Sequence, residues 1–134
     1  VRAIIFKDND LLVMKRSKFG KEYYTLIGGG VDSGETVEQA LVREIREETG
    51  LQEMQVQSWL GKVNFRYRRN HTLVLMTMHI YLVQGLGNTN RLHPEDWLSD
   101  IQWLPAHEAI DAIAYEDIGK LMLLGMKKIR EGKV

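Results

Sequence analysis

Two apolar, β-prone runs open the chain, VRAIIF (1–6) and LLVMKR (11–16), with KDND between them. Asn and Asp favour a tight turn, so this pattern predicts a hairpin. SKFGKE (17–22) is polar and predicts a loop; YYTLI (23–27) then predicts a short strand running into Gly28, Gly29 and Gly30. Residues 36–49 predict a helix, opened by a Thr36/Gln39 capping box and closed by Gly50 in a left-handed cap. MQVQSWLGKVNFRY (54–67) alternates in part and TLVLMTMHIYLV (72–83) is long and apolar, predicting antiparallel strands that turn at RRNH (68–71). QGLGNTNRLHPED (84–96) predicts a long loop, a length that is often functional. IQWLP (101–105) predicts a strand, followed by a short helix to about Ile113. Ile118, Leu121, Met122, Met126 and Ile129 then share one stripe of a last helix. Trp59 and Trp103 are expected in the core. Strands mixed with two substantial helices indicate a layered α/β or α+β domain.

Composition narrows the function classes. A length of 134 residues suits one domain, 1–134, with a real hydrophobic core. Lys+Arg and Asp+Glu are both 18, so no global field draws the chain to nucleic acid or an anionic membrane. The cysteine count of zero excludes disulfides, thiolate metal sites and a cysteine nucleophile, and fits a cytoplasmic setting. No apolar run reaches the roughly 18 residues of a membrane span, and no signal peptide is visible. The chain opens on Val1 rather than methionine, which leaves room for a preceding start.

Against this neutral background, REIREETG (43–50) stands out. With Val37 at zero on a helical wheel, Leu41 falls near 40° and Ile45 near 80°, defining a core face. Glu48 falls at about 20°, Glu44 at about 340° and Glu47 at about 280°, overlapping the edge of that face instead of opposing it. Three like charges at i, i+3 and i+4 repel, and the negative end of the helix dipole disfavours them further. Arg43 and Arg46 point elsewhere on the wheel and are expected to leave the cluster under-neutralised. A divalent cation relieves such repulsion, and oxygen-only donors select Mg²⁺ first, then Mn²⁺ or Ca²⁺. A solvated, Glu-rich surface helix is the other reading of the cluster alone. GGGVDSGE (28–35) leads into this helix; consecutive glycines allow close approach of a ligand, or simply a tight turn. The Gly-Lys-Ser/Thr ending of a Walker A loop is absent.

Taken together these residues resemble the Nudix hydrolase family, in its MutT-like and ADP-ribose pyrophosphatase-like forms. The family signature maps onto Gly29, Glu35, Arg43, Glu44, Ile45, Glu47, Glu48, Gly50 and Leu51 (box 29–51) without a gap or mismatch. Many members carry Pro before the glycines, where this chain has Ile27 before Gly28. The resemblance implies an α/β/α sandwich with a mixed sheet. It also implies Mg²⁺- or Mn²⁺-dependent hydrolysis of a nucleoside diphosphate linked to another moiety: an oxidised (d)NTP, ADP-ribose, a nucleotide sugar or a dinucleoside polyphosphate. By the same resemblance Glu47 and Glu48 are the principal metal ligands, and Glu44 is a further ligand or the base that orients water. A backbone carbonyl of Gly28 or Gly29 completes the shell, and Glu35 pairs with Arg43 to tie loop to helix. A non-catalytic nucleotide-binding regulatory domain and an RNA 5′-end pyrophosphohydrolase are the alternatives; the intact box speaks against the first, the neutral charge against extended RNA contact.

Outside the box, family members take another acid from a distant loop, for which Glu95, Asp96 and Asp100 are candidates and Glu95 the favoured one. Arg16 ends the second strand near the expected cleft and could hold a phosphate, with Gly29 and Gly30 as further substrate contacts. RYRRN (66–70) and Tyr23–Tyr24 suggest a nucleotide contact, although a hairpin tip and a strand face explain them as well. The four histidines (71, 79, 93, 107) lack zinc-site spacing and receive no metal role. Monomer and homodimer remain open on sequence.

Overall fold

A computed structural model describes residues 1–18, 20–87, 100–113 and 115–132. β1 (Arg2–Lys7) and β2 (Asp10–Lys18) form the opening hairpin, with Asp8 at φ 53° in its turn. β2 continues where a loop was expected, and β3 (Lys21–Thr25) folds back on it from Lys18↔Lys21 to Met14↔Thr25. Ser17, Lys21 and Glu22 are exposed there, so their polarity marks a solvated ribbon tip, not a break in pairing. β4 (Ile27–Gly28) is a two-residue strand on β1, and α1 (Val37–Thr49) follows the glycine loop.

β5 (Glu53–Arg69) and β6 (Thr72–Leu86) form a hairpin longer than its hydrophobic pattern predicts. Asn70 and His71 both take positive φ at its turn, as a two-residue hairpin loop requires. β6 absorbs residues 84–86 of the expected loop; residues 88–96 lie outside the described part. β7 (Asp100–Pro105), α2 (Ala106–Ala112) and α3 (Glu116–Arg130) complete the order.

The strands run β3-β2-β1-β6-β5, with β4 added to β1 and β7 to β2. β1 and β6 are parallel while the other pairs are antiparallel, giving a mixed sheet. Leu12 pairs with both Ile5 and Trp103, and Met14 with both Thr25 and Ile101. β1 and β3 therefore follow one another along the same edge of β2. Alternation along β1 feeds two cores. Ile4 and Phe6 join Ala109, Ile113, Ile118 and Met122 under α2 and α3, while Ala3 and Ile5 join Leu41 and Ile45 under α1. This is an α/β sandwich with one helix on one face and two on the other.

Two expected core residues lie elsewhere. Val37 is 37% exposed at the first turn of α1, where the helix has not yet reached the sheet. Trp59 is 48% exposed on edge strand β5, its indole N–H donating to His79 Nδ1 at 3.2 Å, whereas Trp103 packs on the α1-side core. β1 meets β6 only at Ile80–Gln84, so among the described residues 72–79 of β6 pair with β5 alone. The hairpin thus projects past the sheet as a two-stranded arm.

Candidate active site

Local chemistry builds the site. Thr36 Oγ1 accepts from the Gln39 N–H at 3.1 Å, and the Gln39 side chain accepts from the Thr36 N–H at 2.9 Å, closing the capping box. Gly50 ends α1 at φ 78°, its N–H donating to Arg46 C=O. Buried Thr49 seals the last turn, donating to Ile45 C=O at 2.6 Å and accepting from the Leu51 N–H at 3.0 Å. The glycines are needed where backbones meet. A Cβ at Gly28 would stand 2.7 Å from Arg2 Cα, and one at Gly29 would collide with the Glu44 carboxylate.

Arg43 overturns the wheel's expectation that it points away from the acids. The wheel fixes the direction of Cβ, not the reach of a four-bond side chain. Its Nε and Nη2 donate to the two oxygens of Glu35 at 2.7 and 2.9 Å, a bidentate fork. Nη2 also donates to Gly30 C=O at 3.0 Å and lies 3.3 Å from Asp32. Nη1 donates to Glu44 at 2.9 Å and reaches Glu47 at 3.4 Å, so these two carboxylates converge on one cationic nitrogen. Arg46 instead donates to Gln52 C=O. The Arg43 fork, and after it the Asp32 N–H, hold the Glu35 carboxyl below the usual range, and Glu35 in turn raises Arg43.

Glu48 differs from its neighbours. It is half-buried and accepts from the Gly28 N–H at 2.9 Å. Burial pushes its carboxyl above the usual range; the Gly28 N–H and the charges of Arg2 and Arg16 oppose that rise, and Glu44 adds to it.

The acids open onto a cavity of about 730 Å³. Glu44, Glu48, Gly28, Gly29, Arg2 and Arg16 line it together with Tyr23, Phe65, Tyr67, Met76, Met78 and Tyr115, and Tyr23 stands directly across the ladder from Arg16. The cavity thus takes in two of the three helix glutamates, two of the glycines and Arg16 from the sequence candidates. Glu47, Gly30 and Glu35 lie outside its lining but within Arg43's bonds. Tyr23 faces the cavity while Tyr24 packs on the α2–α3 core, and of 66–70 only Arg66 and Tyr67 reach the lining. Asp100 does not line it either: it faces Lys15 across the ladder and accepts from Gln102 at 2.7 Å. Glu95 and Asp96 lie outside the described residues. Sequence reading missed Arg2, Phe65, Met76, Met78 and Tyr115. Period-two spacing of Phe65 with Tyr67 and of Met76 with Met78 was the available signal, since it puts each pair on one strand face.

Carboxylates and backbone carbonyls are the hard donors that suit Mg²⁺ or Mn²⁺. Convergence of Glu44 and Glu47 on Arg43 Nη1 marks a point where two of these donors already serve a cation. Among the described residues no three His, Cys, Asp or Glu side chains form a ready ion cage, because Arg43 holds two of the glutamates and Gly28 the third.

The NUDIX domain model matches residues 1–123, and the chain belongs to that family. It is 32% identical over 111 residues to the MutT4 protein of Mycobacterium tuberculosis, covering 82% of this chain and 44% of that protein. To the ADP-ribose pyrophosphatase of Methanocaldococcus jannaschii it is 56% identical over 52 residues, 38% of this chain and 31% of that one. The chain therefore spans less than half the length of these relatives. In fold it matches the Ap4A hydrolase of C. elegans at a TM-score of 0.74 and 19% identity, over 98% of this chain and 96% of that one.

Proposed function

We propose that the chain hydrolyses a pyrophosphate bond in a nucleoside diphosphate linked to another moiety, in a reaction dependent on Mg²⁺ or Mn²⁺. The observation that carries this reading is that Glu44 and Glu48 line a cavity shared with arginines and with aromatic and thioether groups, while Arg43 Nη1 holds Glu47 beside Glu44. Glu44, Glu47 and Glu48, with the Gly28 carbonyl, would hold the ion, which when bound neutralises phosphate charge and acidifies a coordinated water. Glu44 orients the attacking water and takes its proton as the new P–O bond forms and the bridging P–O bond breaks. Glu35 acts through Arg43, which spans Gly30 C=O and the α1 acids and so sets the loop against the helix. Arg16, Gly29 and Gly30 contact the phosphates, and Glu95 assists as a base from the distant loop. Positioning and charge neutralisation suffice for such a displacement, so no covalent nucleophile is required.

Relatives are named both for ADP-ribose and for RNA; the equal counts of acidic and basic residues favour a small nucleotide over extended RNA contact. The test is ³¹P NMR of products from a panel of NTPs, ADP-ribose, nucleotide sugars and Ap4A with Mg²⁺ or Mn²⁺. Wild type should cleave at least one class, and Glu47→Gln and Glu48→Gln should each lose about a hundredfold or more in kcat. Turnover unchanged in both variants would overturn the assignment.

A further inference from the structure

Arg2 brings a charge to the cavity lining beside Arg16. It opens β1 in register with Gly28 on one side and Ile80 on the other. Its stem lies over Gly28, with Cδ 3.0 Å from where a Cβ would stand, so the absent side chain at Gly28 is what lets Arg2 reach the cavity. Arg43 has four carboxylate partners within 4 Å; among the described residues Arg2 makes no ion pair or side-chain hydrogen bond. Neighbouring Arg16 gives its Nε to Met14 Sδ at 3.1 Å, a weak acceptor. Burial pushes the Arg2 guanidinium down from its usual range, Glu48 and Glu44 draw it up, and Arg16 pushes it down again.

Two guanidinium groups in one cavity lining repel each other and leave most of their N–H donors unspent. A phosphate or diphosphate satisfies both, since a guanidinium fork matches its oxygens bidentately. The same position has an opposite effect on a metal ion. A fixed positive charge beside Glu44 and Glu48 opposes any dication entering there.

We propose that Arg2, paired with Arg16, holds the substrate's phosphates and makes cation binding depend on them, so that the ion and a nucleotide with two adjacent phosphates bind cooperatively. The inference rests on the pyrophosphohydrolase reading for its ligand class. Its physics is linkage: Arg2 weakens the ion alone, bridging phosphates cancel that charge, and each ligand tightens the other by the same factor. Phe65 and Tyr115, edge to face at 5.2 Å in the same cavity lining, offer the base an aromatic surface.

Free Mn²⁺ counted by EPR, and calorimetry with adenosine 5′-(α,β-methylene)diphosphate, measure both affinities separately and together on the intact chain. In wild type each ligand should tighten the other about tenfold or more. In Arg2→Gln, Mn²⁺ alone should bind roughly threefold tighter, the nucleotide about tenfold weaker, and the mutual effect should shrink. Arg2→Lys keeps charge but not the fork: Mn²⁺ alone should match wild type while the nucleotide weakens several-fold. Arg2→Gln weakening both ligands together, or changing neither, would overturn the inference. If that variant does not fold, Arg2→Lys binding nucleotide as wild type does would overturn it alone. Neither measurement needs turnover, so a chain that couples the ligands without hydrolysis would refute the proposed reaction and leave this inference standing.

Discussion

Glu35 shows how a single carboxylate can join a loop to a helix and leave a titration signature. Arg43 lowers its proton affinity in the folded chain, with the Asp32 N–H next in importance. A depressed folded value means a contribution fully present above the unfolded carboxylate value and lost as pH falls through the folded one. Urea midpoints from about pH 6 down to about pH 3 should therefore fall more steeply in wild type than in Glu35→Gln. Identical slopes would show that the fork contributes nothing to folding. Glu48 has the opposite sign, since burial raises it, and so its charged form disfavours the ion-free fold. That is the usual condition of a residue placed for chemistry rather than for stability.

At the scale of elements, α1 combines local rules with one long-range exception. Thr36→Ala removes a cap hydrogen bond and should lower stability by about 1 kcal/mol in urea unfolding, with kcat little changed. Its caps were legible in the sequence because capping depends on residues within one turn. So were the glutamate spacing and the box, which are helical and sequential patterns. Of Arg43's partners the resemblance supplied Glu35, but Glu44, Glu47, Asp32 and Gly30 were not legible, because a wheel projects Cβ directions and a flexible guanidinium chooses among groups on loop and helix alike. The tip of the β2–β3 hairpin, 17–22, was misread as loop because exposed strands of a ribbon tip carry polar residues on both faces. Arg2 was hidden by an ordinary setting, the first polar position of an apolar strand, and only its pairing with Gly28 and Ile80 brings it to the cavity.

For the whole molecule, the division of β6 decides which apolar residues matter. Leu41 is fully buried under the sheet, and Leu41→Ala should cost about 2–5 kcal/mol. Leu75, 70% exposed on the arm, should cost no more than about 0.5 kcal/mol when changed to Ala, by the same denaturant titration. Composition could not separate the two, since both are leucines in apolar stretches; only the end of β1's pairing at Ile80 does. That end has a kinetic consequence as well. Residues 80–84 are held between two strands, while 72–79 pair with β5 alone, so their amides are protected by a ladder on one side only, although Phe65 and Met78 pack against the α2–α3 core. Amide hydrogens of 72–79 should exchange about tenfold or more faster than those of 80–84, and slow when a nucleotide fills the cavity. About a third of the cavity's lining would then sit on strand segments with a ladder on one side only, so amide exchange along the arm would report whether the cavity is filled.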